Sequence, residues 1–364
     1  MGIHDRDYSR PGRTPPRYQR AAGWSATTWI IVLCIGIYAL DGFLGWTLEP
    51  VKSVLYPGVS ATELRQLDRG EIALSRPDLA RVNRGGMVLG SAFVDGRAVA
   101  DVEYRADHPL RRWGYFSTAR AVWNADPVLG AGGFELWRFI TFQFLHANWD
   151  HVIFNMLTLY FFGGMVESYL GKKRYVAFYL LCGISGALMY LLLNGLAVVG
   201  SGFFGPSFHV PGLLFDDPHT TLVGASAGVF GVIMAAAFLA PNATVLLFFV
   251  IPMRLATLAY GLLGFALLAV IFGWTNAGGE AAHIGGALAG FWLVRNPGNL
   301  HGLFDSLGRF DPTSRSAKAR ALARSAAAAD ADVNRILDKI SAQGLHSLNE
   351  REKAVLRDAS RRPR

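Results

Sequence analysis

The chain is organised around residues 223–231, Val-Gly-Ala-Ser-Ala-Gly-Val-Phe-Gly, in which one serine lies among glycines and alanines. This run opens an apolar segment that continues to Ala240 and stops at Pro241. The segment has about 17 residues and would be about 25 Å long as a helix, against about 30 Å for the hydrocarbon core of a bilayer. Ser226 is therefore expected inside the membrane, near the positive N-terminal end of a short helix.

Small residues predict that the serine helix packs closely against a later helix. The serine segment has glycines spaced by four and three positions, at Gly224, Gly228 and Gly231. In residues 282–290, Ala-His-Ile-Gly-Gly-Ala-Leu-Ala-Gly, Gly286 and Gly290 lie on the same helix face as His283. Such faces let two helices approach each other closely in a membrane. A serine and a histidine on facing helices are the pair that a nucleophile and its base require.

Composition and charge define the class of protein. The 364 residues are 52% hydrophobic and 17% charged, which together with several long apolar runs indicates a polytopic membrane protein in contact with the lipid bilayer. The net charge of +8 comes from Lys and Arg in the tails and in loops beside apolar runs, so a nucleic-acid partner is not expected. Cys34 and Cys182 both lie in apolar runs and imply no disulfide framework.

The apolar runs predict six membrane spans. They cover residues 26–46, 151–170, 175–199, the Ser226 segment to Ala240, 255–274 and 281–294. The basic loop 171–174 lies on the cytoplasmic side by the positive-inside rule, which places both termini in the cytoplasm and Ser226 and His283 near the outer ends of their helices. We expect a bacterial cytoplasmic (inner) membrane, with an organelle membrane as the alternative.

Three regions lie outside the spans. Residues 1–23 are polar, Arg-rich and Pro-rich and are predicted to be a disordered tail, ahead of a membrane domain over residues 24–296. Residues 47–133 form a polar insertion in the first outside loop. Within it we predict a helix at Ala61–Asp68, a hairpin-like stretch at Met87–Tyr104 and a short helix at Tyr115–Trp123.

The cytosolic tail, residues 297–364, is predicted to carry a small helical hairpin. Its two amphipathic helices would cover Ala331–Ile340 and Leu348–Ala359, separated by Gly344, with a capping box that begins at Ser347. The predicted fold class is thus an all-α membrane protein: a six-helix bundle with an extended first outside loop and a small helical tail.

A second cluster of polar residues changes the interpretation of the serine and the histidine. Alone, a serine on a Gly/Ala face is usually a packing residue, and a histidine in a span usually satisfies a structural bond. His151 and Asn155, however, are spaced i and i+4 and can direct two donors to one point, as oxyanion stabilisation requires. A zinc site built on His146 and His151 is not expected, because no intramembrane carboxylate or His-Glu-x-x-His motif completes it, and no other cofactor is implied.

Taken together, these motifs resemble the rhomboid intramembrane serine proteases over roughly residues 134–294. The resemblance is carried, in order, by Trp137-Arg138, His146 with His151-x-x-x-Asn155, Gly163-Gly164 with Glu167, Gly-Ala-Ser226, and Ala-His283-x-x-Gly-x-x-x-Gly. It implies a six-helix fold, a Ser226–His283 dyad, and cleavage of transmembrane helices of single-pass membrane proteins. It also implies an oxyanion hole formed by His151, Asn155 and the Ser226 N–H, and an aromatic ring, here Phe230, stacked on the base.

Two points of the resemblance affect the expected activity. The family usually has glycine directly after the serine, where this chain has Ala227, although Gly228 follows at once. A dyad also implies a base held by ring stacking and neighbouring bonds, with no third carboxylate. The alternatives are a catalytically silent relative that binds or retains client transmembrane helices, and a small-solute channel, which the glycine-packed faces disfavour.

Overall fold

The computed structural model describes residues 24–300 and 315–360, except for residue 70 and residues 76–86, 127–129, 206 and 248–249. The predicted disordered tail, residues 1–23, lies outside the described residues. The chain divides into two compact units after Pro297. The first unit holds the apolar helices and the polar insertion, and the second holds the tail.

Apolar helices make up most of the first unit. In chain order its α-helices are α1 (Ala26–Leu44), α2 (Ala61–Asp68), α3 (Pro109–Gly114), α4 (Thr118–Ala121), α5 (Arg138–Thr141), α6 (Trp149–Thr158), α7 (Gly164–Leu170), α8 (Lys172–Phe204), α9 (Ser226–Leu239), α10 (Leu255–Ile271) and α11 (Ala277–Arg295). A π-helical turn, Leu159–Gly163, joins α6 to α7, so one helical element covers the predicted second span.

Helix length and composition support only part of the predicted span count. Among the described residues, α1 and α8 are long and apolar enough to cross a bilayer. The helices α9 and α10 are apolar but have 14 and 17 residues, fewer than the about 20 residues that a transmembrane helix usually has. The structure therefore does not establish six spans.

Glycines, which have no side chain, bring α9 and α11 into direct backbone contact. A Cβ atom on Gly286 would lie 2.0 Å from the Ala227 carbonyl oxygen, and one on Gly290 would lie 2.4 Å from the Gly231 Cα. The predicted close packing of the serine and histidine helices is thus confirmed. Gly228 differs from the prediction, since a Cβ there would meet the Tyr179 ring of α8 at 2.6 Å.

Glu167, a charge within the second helical element, caps the start of α1. Its carboxylate accepts hydrogen bonds from the backbone N–H groups of Ala26 and Thr27, at 2.8 and 2.9 Å, and from the Thr27 hydroxyl at 2.7 Å. The first N–H groups of a helix have no partner within the helix, and a carboxylate also interacts favourably with the helix dipole there. Glu167 therefore has a structural role.

The insertion contains a β-sheet, so the prediction of an all-α protein is wrong. Its four antiparallel strands have the order β1-β4-β3-β2, with bounds β1 Thr47–Leu55, β2 Ala73–Leu74, β3 Met87–Val94 and β4 Arg97–Asp107. Strands β3 and β4 form the predicted hairpin around Asp95 and Gly96, which both have positive φ, as a tight hairpin turn requires. The predicted helix at Ala61–Asp68 is present as α2, and Leu67 lies in the core of the sheet with Val94 and Val102.

The end of the insertion is attached to the chain just before the serine. Phe116 and Leu222 exchange both backbone hydrogen bonds, at 3.0 and 2.7 Å. The predicted short helix at 115–123 is limited to α4, because Trp123 begins a two-stranded sheet, β5 (Trp123–Asp126) with β6 (Gly130–Gly133). The apolar stretch 243–251 forms part of a further hairpin, β7 (Thr244–Leu247) with β8 (Ile251–Arg254).

The second unit contains a helix at Arg315–Gln343 and another at Glu350–Ser360. The first helix includes the predicted Ala331–Ile340 and begins well before it, because the alanine-rich sequence that precedes Ala331 favours helix. The second helix is capped by Asn349 and Glu352, each of which accepts a hydrogen bond from the other's backbone N–H, at 2.8 and 2.9 Å. The predicted capping box at Ser347 is wrong by two positions.

Candidate active site

Ser226 is the first residue of α9 and follows a turn that requires glycine. Gly224 has a φ of 138°, which side-chain-bearing residues rarely adopt. A Cβ atom there would also lie 2.6 Å from Cε1 of His151 and 3.4 Å from Ser226 Oγ. The Gly224 N–H donates to the Phe142 carbonyl at 3.0 Å, which fixes the turn. Glycine thus allows the His151 imidazole to lie beside the turn that presents the serine.

His283 lies on α11, with its ring stacked on an aromatic ring of the serine helix. The ring centroids of Phe230 and His283 are 4.0 Å apart, and the ring planes differ by 9°. Phe230 lies four residues after Ser226 and therefore on the same face of α9. The stack places the histidine on the serine's side of the contact between the two helices, with the aromatic partner that the resemblance implies.

A carboxylate that the sequence did not predict contacts the edge of the His283 ring. Glu280 Oε2 is 2.9 Å from His283 Nδ1, three residues later on α11. Asn276 Nδ2 donates to the second oxygen, Oε1, at 3.3 Å. The available signal was the i, i+3 spacing of an acid and a histidine on one helix face. We expected the histidine to have no carboxylate partner, and this contact shows that the expectation is wrong.

His151 and Asn155 lie one turn apart on α6, as predicted. Asn148 caps this helix, because its side-chain oxygen accepts a hydrogen bond from the His151 N–H at 2.9 Å. Asn155 is 6% exposed, and its Nδ2 has no hydrogen-bond partner within the described part of the chain. The ring of His146 packs edge-on against His151, with centroids 5.1 Å apart. Asn155 thus retains an unused donor.

One cavity brings the four predicted residues together. Ser226, His283, His151 and Asn155 all line a space of about 590 Å³, together with neighbours from α8, α10 and the loop before α9. Among the hydrogen bonds of the described residues, none joins Ser226 Oγ to the His283 ring. Catalytic hydrogen bonds are often long before substrate binds. The arrangement offers a hydroxyl, an imidazole and amide and imidazole donors to one bound group.

The fold and the cavity define the class first: a helical membrane protein with a polar cleft that contains a serine, two histidines and an asparagine. Comparison with known proteins then shows what this part of the chain is similar to. Residues 133–295 match the model of the rhomboid domain. The rhomboid family is an integral membrane family.

Two relatives illustrate the extent of the similarity. The "RHOMBOID-like protein 12, mitochondrial" of Arabidopsis thaliana is 32% identical over 148 residues, which are 41% of this chain and 42% of that protein. The "Rhomboid protease GlpG" of Salmonella newport (strain SL254) is 30% identical over 176 residues, which are 47% of this chain and 51% of that protein. The chain thus spans about half the length, or less, of these curated relatives.

Proposed function

We propose that this protein is an intramembrane serine endopeptidase, with Ser226 as the nucleophile and His283 as the general base. The observation that carries the proposal is the meeting of Ser226, His283, His151 and Asn155 at one cavity in a bundle of apolar helices. Acyl transfer by a serine needs a nucleophile, a base and donors for the developing oxyanion, and these four residues supply all three. Similarity to a protein named a rhomboid protease adds support.

In the proposed reaction Ser226 Oγ attacks the scissile carbonyl carbon while His283 takes the hydroxyl proton. The imidazolium then returns that proton to the leaving amine, and water releases the acyl group from the serine by the same route in reverse. The developing oxyanion would accept hydrogen bonds from Asn155 Nδ2, from His151 and from the Ser226 N–H. That N–H, as the first of α9, has no partner within its helix.

Ala227, the departure from the usual family sequence, is compatible with this role. A Cβ atom on Gly186 of α8 would lie 2.5 Å from the Ala227 Cβ, so the alanine methyl faces a glycine of the neighbouring helix. Ala227 is 1% exposed. The methyl group is therefore accommodated in the packing between α9 and α8.

The proposed membrane arrangement has six spans: α1, the joined α6 and α7, α8, α9, α10 and α11. Both termini would be cytoplasmic, in a bacterial inner membrane or, as the mitochondrial plant relative suggests, in an organelle membrane. The substrates would be transmembrane segments of single-pass proteins. A closed helix hides its scissile carbonyl in backbone hydrogen bonds, so the cleaved stretch must be extended or easily unwound.

Cleavage by purified protein tests the proposal. Wild type in detergent or liposomes should cut members of a panel of single-span substrates and react with a fluorophosphonate probe. Ser226→Ala and His283→Ala should each abolish both signals, and the double variant should be no worse, because a nucleophile and its base act as a unit. Ser168→Ala, which alters an exposed serine whose hydroxyl donates to the Gly164 carbonyl, is the matched control and should retain activity.

A membrane protein that only retains client helices gives the opposite pattern. Wild type would then cut nothing and resist the probe, and Ser226→Ala would leave its effect on client proteins in cells unchanged. That combination of results would contradict the protease function and support the binding alternative.

A further inference from the structure

The carboxylate of Glu280 is placed to control the histidine that serves as the proposed base. Its Oε2 lies 2.9 Å from His283 Nδ1, and the two side chains are 12% and 13% exposed, so water competes little for this contact. A carboxylate only accepts hydrogen bonds, and the ring nitrogen facing it must therefore carry the proton. Nε2 then remains as the proton acceptor of the neutral ring.

The carboxylate is itself held by a second donor, because Asn276 Nδ2 donates to Glu280 Oε1 at 3.3 Å. One face of the imidazole ring is stacked on Phe230, with the ring centroids 4.0 Å apart. The ring is thus fixed by a stacking partner and by a hydrogen-bonded carboxylate, and both contacts restrict its rotation.

We infer that Glu280 is the positioning residue of the base, so that the site works as a Ser226–His283 pair with a supporting glutamate. This inference rests on the proposed protease function. Glu280 keeps the neutral ring in the Nδ1–H tautomer and stabilises the imidazolium that forms when His283 takes the proton of Ser226. The glutamate stays ionised throughout, because the proton moves only between Ser226 Oγ, His283 Nε2 and the leaving amine.

A purely structural role for Glu280 makes a different prediction. An acid in the first turn of α11 also interacts favourably with the helix dipole, and its loss would lower stability without changing the tautomer of His283. The other titratable groups near the ring are His151 of α6 and Tyr190 of α8, which line the same cavity. Neither is a carboxylate, so neither can replace Glu280 as an acceptor that is always unprotonated at neutral pH.

Steady-state kinetics of Glu280→Gln provide the first test. The amide retains size and polarity but can present a donor to Nδ1, which favours the wrong tautomer. We expect kcat to fall by about 10²-fold or more, since general-base catalysis contributes about 10²–10⁴-fold, while KM stays unchanged. Glu280→Asp should recover part of kcat. Asp216→Asn, which removes an exposed charge from the loop before α9, is the control and should keep wild-type kcat. Unchanged kcat in Glu280→Gln would overturn the inference.

NMR of isotope-labelled histidine provides the second test and needs no activity. In wild type and in Ser226→Ala at neutral pH, His283 should carry its proton on Nδ1, and Glu280→Gln should shift the ring toward the Nε2–H tautomer. A wild-type ring protonated on Nε2 would refute the positioning role even if Glu280→Gln failed to fold. An Nδ1–H ring in a protein that cleaves nothing would instead retain the positioning role and reject the protease function.

Discussion

At the scale of single residues, Asn155 has an unused donor in the cavity. Its Nδ2 is buried and has no hydrogen-bond partner among the described residues, a state that costs free energy in a folded protein. A ligand that accepts a hydrogen bond at this point would remove that cost. Asn155 and Ser226 line the same cavity, so a ligand bound there could supply such an acceptor. A functional role for Asn155 explains a feature that packing alone does not.

The first prediction follows from that donor. Asn155→Ala removes one hydrogen bond to the oxyanion and should lower kcat by about 10²–10³-fold, or by less if His151 compensates. Thermal stability should change little, since Nδ2 makes no bond within the described chain. Asn296→Ala, at the far end of α11, loses a bond to the Trp292 carbonyl and is the control. A fall in the melting temperature with no specific loss of kcat would indicate a structural asparagine.

Four residues that line the cavity are predictable from the sequence, and the contact of Glu280 with His283 is not, for a physical reason. Ser226, His283, His151 and Asn155 are polar groups within apolar segments, where each is costly and therefore conspicuous. Glu280 lies just before the predicted sixth span, residues 281–294. Acidic residues are common at the start of a helix because they interact favourably with the helix dipole. Glu280 therefore does not stand out in the sequence, and its contact with His283 is seen only in the structure.

At the scale of elements, the contact between α9 and α11 depends on glycines rather than on large apolar side chains. Packing between helices in lipid gains little from the hydrophobic effect, because lipid is as apolar as the side chains, so close backbone approach has to supply the contact. Gly286 lies on the Ala227 backbone and Gly290 on the Gly231 backbone. These two contacts also set the distance between the helices that carry the serine and the histidine.

Adding one methyl group to this contact is the second prediction. Gly286→Ala would place a Cβ atom 2.0 Å from a backbone oxygen, so the helices must separate, at a cost of about 1–3 kcal/mol. We expect a lower melting temperature in detergent together with reduced cleavage. Gly261→Ala on α10 is the matched control, since a Cβ there meets nothing within 4 Å among the described atoms. Equal stability and activity of the two variants would show that the Gly286 contact does not set the site.

The β-sheet of the insertion shows where the sequence pattern is too weak to predict the fold. Strand β1 contains Pro50 and changes register between Pro50 and Lys52, which interrupts the alternation expected of a strand. Strand β2 has only two residues. Only the β3–β4 hairpin, with its Asp-Gly turn, has a strong local signal, and it is the part that was predicted. The pairing of β1 with β4 joins residues about 50 positions apart and depends on tertiary packing.

The tail gives a third prediction, on pH. Hydrogen bonds from the Asn349 N–H and from Lys339 hold the pKa of the Glu352 carboxyl below its ordinary value. Because its pKa is lower in the folded protein, the Glu352 carboxyl stabilises the contact between the two helices fully above its ordinary pKa of about 4.3. This stabilisation is lost as the pH falls through the lowered pKa of the folded protein. Spin labels on the two tail helices should therefore lie close at neutral pH and separate in acid. In the Lys339→Gln variant the two helices should separate at a higher pH than in wild type. If the label distance changes with pH identically in both proteins, the Lys339–Glu352 ion pair does not cause the separation.

At the scale of the whole molecule, the basic loop and the cavity together predict one orientation in the membrane. The loop before α9 lies beside the cavity, whereas Lys172, Lys173 and Arg174 lie at the opposite end of α8. Positive charge is retained on the cytoplasmic side, so the cavity should open toward the outside. Water for hydrolysis would enter from that side, through the polar loops near Thr220 and Asn276, which line the cavity.

Cysteine labelling in intact cells tests this orientation. Asp216→Cys and Thr275→Cys place thiols at exposed positions on the predicted outer side, and Lys173→Cys places one at an exposed position on the predicted inner side. The native cysteines, Cys34 and Cys182, are both buried and provide the unlabelled background. Impermeant maleimide should react with the first two variants at once and with Lys173→Cys only after the membrane is broken. The reverse pattern would place the cavity on the cytoplasmic side, and the proposed protease would then cleave its substrates from within the cell.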